Sequence, residues 1–117
     1  IGINDLQKFY NPSIKEFEKG IRYFVSITVE QAPESKLIML SPSHIEENIL
    51  NSNFRFLFDK TSIEKSKKIT AIYEKIAGEY NCKLLDLNKI VKTSKIDGLH
   101  YEPEEHKKIA ESVIKLI

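Results

Sequence analysis

The order of the predicted elements places this chain of 117 residues in the α/β class, with a parallel sheet covered by helices on both faces. Segments with helical periodicity alternate with two short apolar runs, in the order helix, strand, helix, strand, helix. Both runs are continuous rather than alternating, which is typical of strands buried on both faces of a parallel sheet. A hydrophobic share of 41% is sufficient for a globular core, and the length suits a single domain over residues 1–117.

The first helix is predicted from Pro12 to about Glu30, with Pro12 in its first turn. The residues of one face of this helix recur at the spacing of an α-helix; they are Ile14, Phe17, Ile21, Phe24, Val25 and Thr28. The sequence Gln-Ala-Pro-Glu-Ser then ends the helix. The apolar run Lys36–Leu40 follows and is predicted as the first strand.

Residues 45–60 leave two interpretations open. Phe54, Phe56 and Phe58 alternate along the chain, as they would in a strand. The segment is short, however, and its Asn-rich start also fits a loop with a broken helix.

The second half of the chain predicts a helix, a strand and a last helix. Thr61–Tyr80 carries apolar side chains with a period near that of an α-helix, and Asn81 is placed to cap the end of this helix. Cys82–Leu87 is predicted as the second strand, and a polar loop leads to Pro103, which suits the first turn of the last helix. The apolar positions of that helix are Ile109, Ala110, Val113, Ile114 and Ile117.

Charge and residue content exclude several classes of function. The 18 basic residues nearly cancel the 17 acidic ones, so the positive field that holds nucleic acid is missing and no such partner is expected. The single cysteine, Cys82, cannot form an internal disulfide or a Cys-x-x-Cys metal site. His44, His100 and His106 lack the spacing of a helical zinc pair, so no metal site is expected. No apolar run is long enough to span a bilayer.

The loop Ile96-Asp-Gly-Leu-His-Tyr before the last helix is the first candidate catalytic motif. Asp97 lies three residues before His100, and Gly98 permits a tight bend that brings the carboxylate to the imidazole Nδ1. In that geometry the carboxylate fixes the tautomer, and Nε2 is free to act as a general base. The alternative is that Asp97 and Gly98 only form a turn, with His100 as a polar residue near a helix start.

The tetrapeptide Gly2-Ile-Asn-Asp is the second candidate, because it follows what looks like the end of a strand. A glycine there lets another backbone or a ligand approach closely, and the Asn4 amide is a neutral donor suited to a developing oxyanion. The alternative is a strand-to-helix turn in which Asn4 or Asp5 caps a helix.

Together and in this order, the two motifs resemble the Gly-x-Asn-Asp and Asp-x-x-His blocks of the SGNH (GDSL-type) serine hydrolases. The two predicted strands are also similar to those of small bacterial members, so the resemblance covers nearly the whole chain. The resemblance implies a three-layer flavodoxin-like fold and ester hydrolysis by a Ser-His-Asp triad, with no cofactor or metal. It further implies that His100 is the general base and acid, Asp97 its orienting carboxylate and Asn4 an oxyanion-hole donor.

The sequence departs from this family in one respect: it contains no Gly-Asp-Ser block, which in the family carries the nucleophilic serine upstream of Gly-x-Asn-Asp. We therefore expect that the chain is the carboxyl-terminal part of a longer enzyme, that its sheet is missing its amino-terminal strands, and that the serine and a second oxyanion-hole glycine lie upstream. Ser41 and Ser43 are the alternative nucleophiles, although a structural or pocket-lining role is favoured for both. Gly2, Ser41, Pro42 and His44 are expected to line the pocket.

The expected partners are a small-molecule ester and the upstream part of the same protein; the localisation is not predicted. Phe54, Phe56 and Phe58 are candidates for the wall of an acyl pocket, although core packing is the more common use of such a cluster. Two other functions remain open. One is a non-catalytic α/β binding or regulatory domain of response-regulator type, for which the acidic cluster and strand-end lysine are missing. The other is a catalytically dead member of the hydrolase family.

Overall fold

A computed structural model describes all of residues 1–117, and its regular elements occur in the predicted order. They are α1 (Ile14–Gln31), β1 (Ile38–Ser41), α2 (Lys60–Glu79), β2 (Lys83–Asp86) and α3 (Pro103–Ile114). Short 3₁₀ turns occupy Ile3–Leu6, Glu47–Asn51, Asn53–Phe56 and Leu87–Lys89. The predicted α/β class is confirmed.

The two strands are parallel neighbours, with Ile38 opposite Lys83 and Ser41 opposite Asp86. Helix α2 makes the connection between them, as a parallel pair requires. Helices α1 and α2 and strand β1 enclose the main core, whose fully buried members include Ile69 and Ile76. The carboxyl ends of both strands therefore lie at the same edge of the sheet, where ligands bind in open α/β folds.

Helix α1 begins two residues later than predicted, because Ser13 caps it. The Ser13 hydroxyl accepts from the Glu16 amide at 3.1 Å, while the Glu16 carboxylate accepts from the Ser13 amide at 2.7 Å. This reciprocal pair is a capping box, and it places Pro12 before the helix rather than in its first turn.

The end of α2 follows the prediction that Asn81 caps it. Asn81 adopts a positive φ of 54°, the Cys82 amide donates to the Ala77 carbonyl, and the Asn81 amide donates to the Gly78 carbonyl. These two bonds define a Schellman motif, which turns the chain sharply into β2.

The segment 45–60 contains two 3₁₀ turns and no strand, so the strand interpretation of the three phenylalanines is wrong. Phe58 is buried in a second, smaller core with Ile45, Ile49 and Ile63, and Phe54 packs against that core. Phe56 is 66% exposed and lies under the Arg55 guanidinium. Within the second 3₁₀ turn Phe54 thus points inward and Phe56 outward, while Phe58 lies after the turn, so the alternation does not mark two faces of a strand.

Helix α3 starts at Pro103 as predicted, but none of its residues is buried. Ile114 is 68% exposed and the terminal Ile117 is 91% exposed. The apolar positions predicted for this helix are thus half-buried or exposed. No helix of the chain has the length and apolar character needed to cross a bilayer.

Candidate active site

Asp97 and His100 lie in hydrogen-bond contact in the loop before α3. The Asp97 Oδ2 atom is 2.8 Å from the His100 Nδ1 atom. The other carboxylate oxygen, Oδ1, accepts from the backbone amides of Leu99 at 2.8 Å and His100 at 2.9 Å. The carboxylate is thereby fixed by two amides, and it can hold the imidazole in the tautomer that carries a proton on Nδ1.

Gly98 permits the bend that closes this pair. It has a positive φ of 67°, and a Cβ atom at this position would lie 2.9 Å from the Glu46 carbonyl oxygen. The Gly98 amide donates to the Ser94 carbonyl, and the Ser94 amide donates to the His100 carbonyl, each at 2.7 Å. Only a residue without a side chain fits this position, so the glycine predicted to allow the bend is required by it.

The electrostatic setting keeps Asp97 ionised. Burial by itself would raise the pKa of Asp97, but the hydrogen bonds from the amides of His100 and Leu99 and from the His100 ring outweigh it, so the pKa lies below its usual value. A carboxylate that stays charged near neutral pH can stabilise a positive charge that develops on the imidazole.

The outer side of the His100 ring is open to solvent. The side chain is 60% exposed, and its only hydrogen bond is the one from Nδ1 to Asp97. The Phe54 ring lies against the imidazole, with the ring centroids 5.0 Å apart. Nε2 is therefore accessible to a reacting group, as a general base must be.

Asn4 lies in the first 3₁₀ turn, with an exposed side chain that makes no hydrogen bond. That turn is preceded by Gly2, and α1 is capped by Ser13, so neither Asn4 nor Asp5 caps a helix. The capping alternative for this motif is thus excluded, and the Asn4 amide is free to bind a ligand.

The two motifs are anchored on the same small core. Ile3, next to Asn4, and Leu99, next to His100, both pack against the buried cluster that holds Phe58. The shared anchor fixes the two motifs relative to each other. This arrangement was not visible in the sequence, because it depends on the 3₁₀ turns of residues 47–56.

Ser41, the last residue of β1, and the residues that follow it are held mainly by burial and hydrogen bonds. Ser41 is fully buried, with its hydroxyl 3.5 Å from the Asp86 carboxylate, and Ser43 is 7% exposed with no partner for its hydroxyl. Pro42 is half-buried, and its carbonyl accepts from the Asn88 amide. His44 faces a polar cavity of about 340 Å³. Gly2 is buried against Tyr73 and Phe17.

Two asparagines that the sequence analysis does not identify hold the loop after β1 and the loop before α3 in place through side-chain hydrogen bonds. The Asn88 side chain accepts from the His44 amide at 2.8 Å and donates to the Thr70 hydroxyl at 3.2 Å. The Asn48 amide donates to the Lys95 carbonyl at 2.8 Å and so supports the loop that carries Asp97. No short motif marks either residue, because both act through contacts distant in sequence.

No set of three His, Cys, Asp or Glu side chains is arranged to hold a metal ion. The one thiol, Cys82, has a pKa raised by burial and is therefore not activated as a nucleophile.

Several solved structures share this fold. The chain superimposes with a TM-score of 0.84 on a carbohydrate acetylesterase from Sinorhizobium meliloti at 21% identity, covering all of this chain and 59% of that one. A carbohydrate acetylesterase family member from the same organism gives 0.81 at 25% identity, over 99% and 58% of the two chains. An aryl esterase from M. smegmatis gives 0.78 at 18% identity, over 100% and 59%.

These likenesses show that the chain has the same α/β fold as these esterases. The chain spans less than two-thirds of the length of each of these structures. No protein-family profile and no curated protein sequence matches it.

Proposed function

We propose that this chain forms the acid–base and oxyanion-binding part of a serine ester hydrolase of the SGNH type. The observation that carries the proposal is the 2.8 Å contact between the Asp97 carboxylate and His100 Nδ1, in a chain with an esterase-like fold. The open Nε2 of His100 and the unbonded amide of Asn4 supply the two other groups that ester hydrolysis needs.

In the proposed reaction, a serine hydroxyl attacks the acyl carbonyl while its proton passes to Nε2 of His100. Asp97 stabilises the imidazolium, and the Asn4 side chain donates to the oxyanion of the tetrahedral intermediate. The intermediate collapses with cleavage of the ester C–O bond, and His100 returns the proton to the leaving alcohol. Water then hydrolyses the acyl-enzyme by the same proton path.

The nucleophilic serine is proposed to come from a polypeptide segment outside residues 1–117. Ser41 is fully buried against Asp86, Ser43 is almost fully buried, and no serine is hydrogen-bonded to the His100 ring. A nucleophile must lie within hydrogen-bond reach of its base, so neither serine suits the role as placed.

The proposed substrates are small esters such as sugar acetates and aryl esters. This choice follows the structural neighbours, which are named as carbohydrate acetylesterases and an aryl esterase. Fold likeness alone does not fix a substrate, so both classes belong in the test.

The proposal is tested on the protein isolated from its natural source. Intact-mass measurement and amino-terminal sequencing establish its length, a fluorophosphonate labels its reactive serine, and an aryl acetate and an acetylated sugar measure turnover. We expect a mass above 13.5 kDa, a Gly-Asp-Ser segment and labelling of that serine. A source protein that is neither labelled by the fluorophosphonate nor active on either ester would contradict the proposal.

A further inference from the structure

The His100 ring is contacted by residues from two different segments of the chain. Asp97, three residues earlier, lies 2.8 Å from the ring atom Nδ1. Phe54, which is distant in sequence, lies against the ring with the centroids 5.0 Å apart and the ring planes inclined by 53°. This geometry falls within the range of favourable aromatic pairs. The imidazole therefore has one polar and one apolar contact that restrict its rotation.

The hydrogen bond to Asp97 is a weak restraint when it acts alone. The His100 side chain is 60% exposed, so water competes for both partners of the bond and reduces its net free energy. Exposed side chains otherwise exchange between rotamers within nanoseconds. A second contact is therefore needed to keep the imidazole in the rotamer in which Nδ1 meets Asp97.

Phe54 is itself firmly held, as a residue that orients another must be. Its amide donates to the Ser52 hydroxyl at 3.1 Å, and its carbonyl accepts from the amides of Leu57 at 2.8 Å and Phe58 at 3.0 Å. Its side chain packs against the second, smaller core, and Leu99 packs against the same core. Phe54 and the loop before α3 thus share one packed support.

We propose that Phe54 is a positioning residue for the general base: its ring holds the His100 imidazole in the rotamer that keeps Nδ1 on Asp97 and leaves Nε2 open. This role rests on the proposed function, in which His100 takes the serine proton and must be oriented to do so. Phe54 acts through His100 and is assigned no contact with the substrate. The orientation of the ring can be measured without any reaction.

The first measurement is NMR spectroscopy of the source protein in its full natural length, labelled isotopically at histidine. Three-bond couplings report the χ1 rotamer of His100. We expect a single rotamer in the parent and in Phe54→Tyr, which keeps an aromatic ring. Phe54→Leu keeps apolar packing against the core but removes the ring, so its couplings should be averaged over two or more rotamers. Circular dichroism verifies that the variants keep their helices.

The second measurement is turnover of an aryl acetate by the same proteins. Phe54→Leu should lower kcat by about tenfold and change KM by less than about twofold, because a poorly oriented base slows proton transfer without weakening binding. Phe54→Tyr should retain most of the turnover. Phe56→Leu is the matched control: it removes a ring of the same turn that is 66% exposed and lies under Arg55, so kcat and the His100 rotamer should be unchanged.

Two results would overturn the proposal. One is a single His100 rotamer in Phe54→Leu, because the aromatic ring would then not be what orients the imidazole. The other is a parental kcat in Phe54→Leu in a protein that His100→Ala inactivates. A parent that hydrolyses neither an aryl acetate nor an acetylated sugar would instead contradict the proposed function, and the couplings would still decide whether Phe54 holds the ring.

Discussion

At the scale of single residues, His100 is the most informative position. In the protein that contains the serine segment, His100→Ala removes the proposed general base, and we expect kcat for an aryl ester to fall by about four orders of magnitude or more. The side chain is largely exposed, so the fold should be retained. His106→Ala, an exposed histidine of α3, is the control and should keep full turnover. Near-normal turnover by His100→Ala would remove His100 from the mechanism.

Substitution of Asn4 distinguishes a role in transition-state stabilisation from a structural role. Loss of one oxyanion donor costs about 10²–10³ in kcat with a smaller change in KM, because the donor acts on charge that develops in the transition state. We expect this split for Asn4→Ala, and no loss of thermal stability, because the side chain is exposed and unbonded. Asn51→Ala, also exposed, is the matched control. An increase in KM alone would argue against the oxyanion role.

The lowered pKa of Asp97 predicts that this residue contributes to the stability of the fold in a pH-dependent way. Its pKa is lower in the folded protein, so its ionised form stabilises the fold above the unfolded pKa of about 4, and this contribution is lost as the pH falls through the folded value. Asp97→Asn should therefore lower the free energy of unfolding at neutral pH, with a difference from the parent that shrinks in acid. Urea unfolding across this range measures it, and a constant difference would contradict the assignment.

The sequence predicted the Asp97–His100 contact because both residues and the required Gly98 lie within four positions. It did not predict the shared anchor of Ile3 and Leu99, or the support from Asn48 and Asn88, because these contacts join segments distant in sequence. Local motifs report local geometry, whereas the supporting contacts depend on how the elements pack.

At the scale of elements, the end of α2 offers a sharp test of local backbone geometry. Asn81 is exposed and adopts a positive φ of 54° in the Schellman motif. A Cβ-bearing residue without a polar side chain is disfavoured there, so Asn81→Ala should reduce the free energy of unfolding by about 1 kcal/mol. Asn81→Gly is the control and should leave stability unchanged or raise it. Equal effects of the two substitutions in urea unfolding would contradict the motif.

The elements differ in how well periodicity predicts them. Helix α2 is long and strongly periodic, and its observed bounds differ by one residue from the prediction at each end. The predicted start of helix α1 is two residues too early, because the Ser13–Glu16 capping box places the first helical residue after Ser13. The alternation of Phe54, Phe56 and Phe58 does not indicate a strand here, because Phe54 and Phe56 lie in one 3₁₀ turn and Phe58 lies in the segment between that turn and α2.

At the scale of the whole molecule, the packing is uneven. Eight residues of α2 are buried, whereas no residue of α3 is. Apolar residues do recur at helical spacing in α3. Whether that face is buried, however, depends on which elements pack against it, and the periodicity of the sequence does not predict this. Fold class was therefore predictable from element order, while the degree of burial of each helix was not.

This architecture predicts that the 117-residue chain alone does not hydrolyse esters. Asp97, His100 and Asn4 are proposed only to move a proton and bind an oxyanion, while Ser41 is fully buried against Asp86 and Ser43 is almost fully buried. The purified chain should turn over an aryl acetate no faster than its His100→Ala variant, which sets the background, and should not react with a fluorophosphonate. Ser41→Ala and Ser43→Ala complete the comparison. Turnover above background that disappears in either serine variant would show that the nucleophile lies within residues 1–117. The carboxyl end of β1 or the loop after it would then have to rearrange to expose that serine.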